Sequence, residues 1–276
     1  MALVVNTNTA SLNAINNLNR TTRNLTGSYG RISSGMRIAR AADDAAGLGV
    51  AESLESQSVS GRQAMRNTND GISVIQTAEG ATNEVSDILI RMRELAVQSS
   101  SETLADDERA YIQTEFEQLS DEIDRIASST TFNGLALADG SNTTLDVQVG
   151  INNSADDRIT ITLGDLTASS LGVDTGSADL STVTGAQAAI DIFDTALDSV
   201  STIRSDFGAV QNRLDSALSN METYVENLEG AESQIRDADF AFETAELAKQ
   251  QILQQAGVSV LAQAKNMNQG VLNLLG

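Results

Sequence analysis

Apolar residues recur every three or four positions along most of the chain, the spacing that gives a helix one apolar face. The longest series opens at Phe193. It runs through Leu197, Val200, Ile203, Phe207, Val210, Leu214, Ala217, Met221, Tyr224, Leu228, Ala231, Ile235, Ala238 and Phe242 to Ala245. It then slips by one residue and resumes as Leu253, Gly257, Val260, Ala264, Met267, Val271 and Leu274. A single helix over 193–276 would be about 125 Å long. Either it breaks, or the molecule is a rod that exposes much surface and favours side-by-side association. Shorter stripes occupy the first half: Ile15, Leu18, Leu25, Tyr29 and Ile32; Val85, Ile88, Met92 and Leu95; Ile112, Phe116, Leu119, Ile123 and Ile126. The last follows Asp106-Asp107-Glu108, acids suited to the positive end of a helix dipole, and stops at Ser128–Thr131 before Asn133-Gly134.

Between 140 and 185 the period changes. Leu145–Val149 and Arg158–Leu163 alternate with period two around the turn-forming 150–157, which predicts an antiparallel hairpin, and 164–185 reads as mostly loop. The expected fold is therefore mainly α: a long coiled-coil-like helical rod with a small β-hairpin.

Charge adds an asymmetry. The chain of 276 residues carries 38 acids against 17 Lys and Arg. Residues 1–42 hold five arginines and no acid, and 247–276 hold two lysines and no acid. Both basic ends also carry apolar stripes, which points to ends that work together. The chain has no His, Cys, Trp or Pro. That excludes Ser-His-Asp and Cys nucleophiles, zinc fingers and disulfides. The acidic balance argues against nucleic acid, which is bound by neutralising phosphates. No run approaches the length needed to span a bilayer, and the start Met1–Asn6 lacks the features of a secretory leader.

Several patterns invite a chemical reading and fall short. Gly47-Leu48-Gly49 lacks the third glycine and preceding strand of a dinucleotide loop. Asp237, Asp239 and Glu243 lack the glycine of a calcium loop, so exposed helix acids account for them. Asn142-Thr143-Thr144 and Asn152-Asn153-Ser154 fit a glycosylation sequon, but turn composition explains both. A hydrolase with paired carboxylates is a distant alternative, since no cleft is inferable and aromatics are only 3%. No cofactor or metal is expected.

The segments Asn6–Ala14, Ser33-Ser34-Gly35-Met36-Arg37-Ile38 and Ala42–Leu48 closely resemble the N-terminal region of bacterial flagellins, and Gln251–Ala264 resembles their C-terminal region. Arg93–Gln98 and Asn133-Gly134 match family patterns in between. Two departures stand out: the tail segment 266–272 lacks the proline many flagellins carry, and only about 50 residues separate the two matching parts, so the large outer domains are missing or reduced to the hairpin and its loops.

The resemblance implies a subunit that self-polymerises into the bacterial flagellar filament for swimming motility, with terminal helices that pair on polymerisation. It assigns 1–42 and 236–276 to inner-tube helices, 43–140 and 186–235 to the outer-tube rod, and 141–185 to the β-hairpin and loops. Polymerisation through the inner tube would use Leu12, Ile15, Leu18, Leu25, Ile32, Leu253, Val260, Met267, Val271 and Leu274. An isolated terminal helix buries little, so both ends are expected to be disordered until neighbours cover them. The implied partners are copies of the chain, the flagellar cap and hook-junction proteins, an export chaperone at the C-terminal region, and a host Toll-like receptor recognising Arg91, Leu95 and Glu115. The implied location is extracellular, reached without a cleaved signal peptide. A hook–filament junction or related axial protein is the alternative, since such proteins share the terminal helices.

Overall fold

The computed structural model describes residues 7–272. Its elements in chain order are α1 (Thr9–Ser34), α2 (Ala45–Ser99), α3 (Asp106–Ser129), β1 (Thr131–Phe132), β2 (Leu135–Ala136), β3 (Thr144–Gln148), β4 (Arg158–Thr162), α4 (Ala168–Leu171), α5 (Val183–Arg236) and α6 (Phe240–Leu272). The chain divides into two compact units, residues 1–58 with 227–276 and residues 59–226; α2 and α5 supply segments to both.

The unit 59–226 holds the hydrophobic core. One cluster joins Val85, Leu89, Met92 and Leu95 of α2 to Ile112, Phe116 and Ile123 of α3 and to Phe193, Ala196 and Val200 of α5. These are the predicted stripes, except that Leu89 and Ala196 are buried where Ile88 and Leu197 were expected, the latter two being half-buried against the cluster. The Phe116 and Phe193 rings meet at 5.8 Å between centroids, tilted by 50°, a favourable aromatic arrangement. Leu166, Ala168, Val173, Ala178 and Leu180 join the same cluster. The stretch read as loop therefore does core work, and α4 lies within it. Ala105 N–H donates to Glu108 Oε2 at 3.0 Å, fixing the start of α3. Buried Arg109 closes the α2–α3 turn by donating to the carbonyls of Ser99 and Ser101.

A second cluster seats the predicted hairpin. Val147 and Ile159, and Leu145 and Ile161, are cross-strand partners. Val147, Val149, Ile159, Ile161 and Leu163 face Val74, Ile75 and Ala78 of α2 and Phe207 and Leu214 of α5. Gly71 makes room for this seat: a Cβ there would lie 3.0 Å and 3.2 Å from the two methyls of Val147. Gly71→Val should therefore lift the hairpin and lower stability by about 1–3 kcal/mol, read as an earlier thermal transition.

Sequence reading missed one feature here and left a second open. The first is the β1–β2 hairpin, whose turn residues Asn133 and Gly134 both have positive φ, 49° and 81°, the geometry that favours Asn-Gly in two-residue hairpins. The second is the break in the long stripe. The periodicity holds through α5, with Val225 buried where Tyr224 was expected, but the helix ends at Arg236. Asp237 accepts the Ser233 hydroxyl, and Asp239 Oδ1 accepts the N–H groups of Ala241 and Phe242, which starts α6. The 193–276 series is thus divided between α5 and α6.

Candidate assembly surface

The other unit is built on the pairing of α1 with α6. Asn8 caps α1, accepting the Ser11 N–H at 2.9 Å, and its amide donates to the Ala264 carbonyl at 2.9 Å. Gly35 ends α1 in the left-handed region at φ 72°, a conformation glycine adopts without a Cβ clash. The chain then crosses the α5–α6 junction. Met36 and Asp237 form an antiparallel bridge, Ala238 N–H donates to Gly35 O, and Arg37 N–H donates to Arg236 O. The Arg37 guanidinium donates to the carbonyls of Gln234 and Ile235 at 3.2 and 2.7 Å, capping the C-terminal end of α5. Asp43 and Asp44 hold the next turn: Asp43 accepts from Ala39 and Arg40 N–H, Asp44 from Ala46 and Gly47 N–H. Gly47 thus belongs to a helix start.

The shielded positions of α1 include Ser11, Ala14, Leu18, Thr21, Leu25, Ser28 and Ile32, and those of α6 include Glu243, Leu247, Gln250, Gln254, Gly257, Leu261 and Ala264, with Arg31, Thr244, Glu246 and Gln251 half-buried beside them. Both series alternate steps of three and four, the seam of a coiled coil. Yet the fully buried members among the described side chains are polar: Ser11 and Ser28 on α1, Glu243 and Gln250 on α6. Arg31 pairs with Glu243 at 2.9 Å, the buried Glu243 Oε2 has no hydrogen-bond partner among the described residues, and Gln251 donates to Tyr29 OH at 3.0 Å. Leu18 packs beside Gly257.

Large apolar side chains lie outside the seam. Leu12 is 52% exposed, Ile15 37%, Leu253 46% and Val260 54%, and Tyr29, Ile252 and Val258 are exposed as well. Of the ten residues expected to drive polymerisation, these first four face outward and Leu18, Leu25 and Ile32 are half-buried in the seam. The side chains of Met267 and Val271, and all of Leu274, lie outside the described residues. Sequence reading merged two faces of each helix into one stripe. The signal that separates them is the seven-residue repeat Ser11, Leu18, Leu25, Ile32, in which a small polar residue takes a seam position. Within the described residues both terminal segments are helical and paired, but thinly covered.

The residues expected to meet a receptor lie in the unit 59–226. Arg91 is exposed and bonded to Glu115 at 2.7 Å and to Glu94 at 3.1 Å; the Glu115 carboxylate, foremost, holds the guanidinium more firmly protonated. Leu95, by contrast, is 1% exposed and belongs to the core. Nearby, the Arg93 guanidinium holds the Asp194 carboxyl below its usual range, and Arg125 does the same to Glu122. Such carboxylates stabilise the fold above their ordinary pKa, and the contribution is lost as pH falls through the depressed value. Asp194→Asn removes one of them. Its melting temperature should therefore fall less than the parent's between about pH 5.5 and 3, the acid carboxylate range.

Among the described residues no group of three or more acids is placed to hold a metal, and no helix is long and apolar enough to cross a membrane. Asp237, Asp239 and Glu243 are engaged by Ser233, by α6 backbone N–H groups and by Arg31.

Comparison with known proteins places this architecture. Residues 5–143 match the bacterial flagellin N-terminal helical region and residues 190–275 the bacterial flagellin C-terminal helical region. A flagellin of Halalkalibacterium halodurans is 44% identical over 99% of this chain and all of its own length. A flagellar filament core protein of Brachyspira hyodysenteriae is 41% identical over the same share of this chain and all of its own. The crystal structure of Bacillus cereus flagellin aligns with a TM-score of 0.50 at 34% identity, covering 56% of this chain and 88% of that one. Helices at both ends, a hairpin-bearing middle and end-to-end likeness to these relatives lead to one assignment: the chain belongs to the bacterial flagellin family.

Proposed function

We propose that this chain is a filament subunit that polymerises through α1 and α6. The observation that carries this reading is the α1–α6 seam, which buries polar side chains while Leu12, Ile15, Leu253 and Val260 stay exposed. Covering a Leu or Ile side chain contributes roughly 1.5–3 kcal/mol. The same surface left open on a lone subunit is a driving force for association with further copies. The apolar flanks of 1–42 and 236–276 would line an inner tube, and the acidic 43–235 would lie outside. The flagellin family is a family of structural proteins, and motility is the role this assembly serves. Electron microscopy of the purified full chain tests the reading: long helical filaments are expected, and a monodisperse monomer at every concentration would overturn it.

Export, partners and location follow from the same reading. The filament lies outside the cell, and the subunit reaches it through a narrow channel. Absent cysteine removes any disulfide en route, and absent proline removes slow isomerisation at the tip. The cap and hook-junction proteins would meet the growing and anchored ends, and a chaperone would cover the C-terminal region before export. Arg91 and Glu115 offer a host Toll-like receptor an exposed charged pair, while Leu95 acts from beneath by setting the position of α2. Arg91→Ala with Glu115→Ala should reduce receptor signalling about tenfold or more, as expected when charged interface groups are truncated; unchanged signalling in a reporter assay would remove this part of the proposal.

A further inference from the structure

The basic side of α1 carries a groove that the apolar account of assembly does not use. It encloses roughly 370 Å³, and its lining includes Arg23, Gly27, Gly30, Arg31, Arg40 and Asp43. Arg31 is tied to Glu243, and Asp43 is committed to the backbone N–H groups of Ala39 and Arg40. Arg23 and Arg40 are exposed, and no bond to either guanidinium is found among the described residues. The floor is equally bare. A Cβ at Gly27 or Gly30 would meet nothing within 4 Å, so this subunit's own packing does not require glycine there. Glycine in a helix interior is nevertheless destabilising relative to alanine. Two glycines one turn apart leave the α1 backbone open to close approach.

We propose that this groove receives an acidic segment from the 59–226 unit of a second copy, with the two unpaired arginines meeting carboxylates and the two glycines admitting the partner chain. Charge complementarity selects that occupant. The 59–226 unit carries 28 acids against nine arginines, whereas the other terminal segments offer the groove no comparable acidic surface: residues 1–42 and 247–276 contain no acid. The contact rests on the filament reading above and gives it an electrostatic, register-setting component beside the apolar one, since paired charges fix orientation and exclude wrong partners.

The test compares the full chain with two double variants. Gly27→Gln with Gly30→Gln fills the groove with good helix formers, so the monomer's helix content is held or raised while the critical concentration for polymerisation rises about tenfold or more. Arg23→Glu with Arg40→Glu raises it similarly. It also removes the increase in critical concentration that the parent shows between about 50 and 500 mM NaCl. A photoreactive benzophenone at Thr26 should cross-link to residues 59–226 of another copy. Parent-like polymerisation by both variants, or cross-links confined to 9–58 and 227–272, or none in the polymer, would overturn the inference alone. Failure of the parent to polymerise would instead overturn the filament reading beneath it.

Discussion

A chain lacking residues 1–42 stays monomeric at concentrations where the full chain forms filaments, yet keeps the thermal transition of its central unit. The deletion removes the Asn8, Tyr29 and Arg31 bonds to α6 and the Arg37 cap on α5. Glu243 then loses the Arg31 guanidinium, and α6 is left without its α1 partner. Both hydrophobic clusters lie wholly within 59–226 and are untouched. Sedimentation velocity would show the loss of polymer, and far-UV circular dichroism the preserved melt. Polymerisation by the truncated chain would show that the apolar faces of α1 are dispensable.

Phe193→Ala has the reverse signature. Phe193 is fully buried at the meeting point of α2, α3 and α5 and stacks at an angle against Phe116. Truncating a buried phenylalanine costs about 3–5 kcal/mol, because the cavity it leaves relaxes only in part. For a unit of this size that lowers the melting temperature by roughly 6–20 °C, at about 2–4 °C per kcal/mol. Tyr111→Ala on the same helix as Phe116 is the control: Tyr111 is 77% exposed, and its loss should shift the transition by no more than about 1–2 °C, as for a surface change within about 0.5 kcal/mol. Differential scanning calorimetry separates the two.

What the amino-acid pattern made legible is what a single strong period encodes. The α5 stripe from Phe193 to Leu214 and the α3 stripe from Ile112 to Ile126 became core faces, and the alternation around 145–163 became a paired hairpin. The first two thirds of α2 escaped notice because Gly61 and Gly71 interrupt its apolar face. Both glycines exist for close approach: a Cβ at Gly61 would sit 2.6 Å from a Val225 methyl, and Gly71 lies under Val147. Tertiary packing there overrides helix propensity. The terminal helices were legible as helices but not as surfaces. Their seam is polar, so hydrophobicity marked the outward flanks as strongly as the inward face. The Arg31–Glu243 pair and the Arg37 cap join residues some 200 positions apart, and no local spacing announces them.

The receptor residues show the same limit from the other side. Arg91 and Glu115 lie on two helices and meet at the surface, whereas Leu95, one turn from Arg91, turns into the core. A stripe residue and a surface residue can share a motif and have different tasks.

Amide hydrogen exchange in free subunits and in assembled filaments tests the central idea most directly. Helices held by a polar seam with exposed apolar flanks open at low free-energy cost, whereas core helices open only with the whole unit. Amides of 9–34 and 240–272 should therefore exchange rapidly in the free subunit and become strongly protected in the filament, while those of 106–129 are protected in both. Terminal helices equally protected before and after assembly would mean that a single chain completes them unaided, and the account would be wrong.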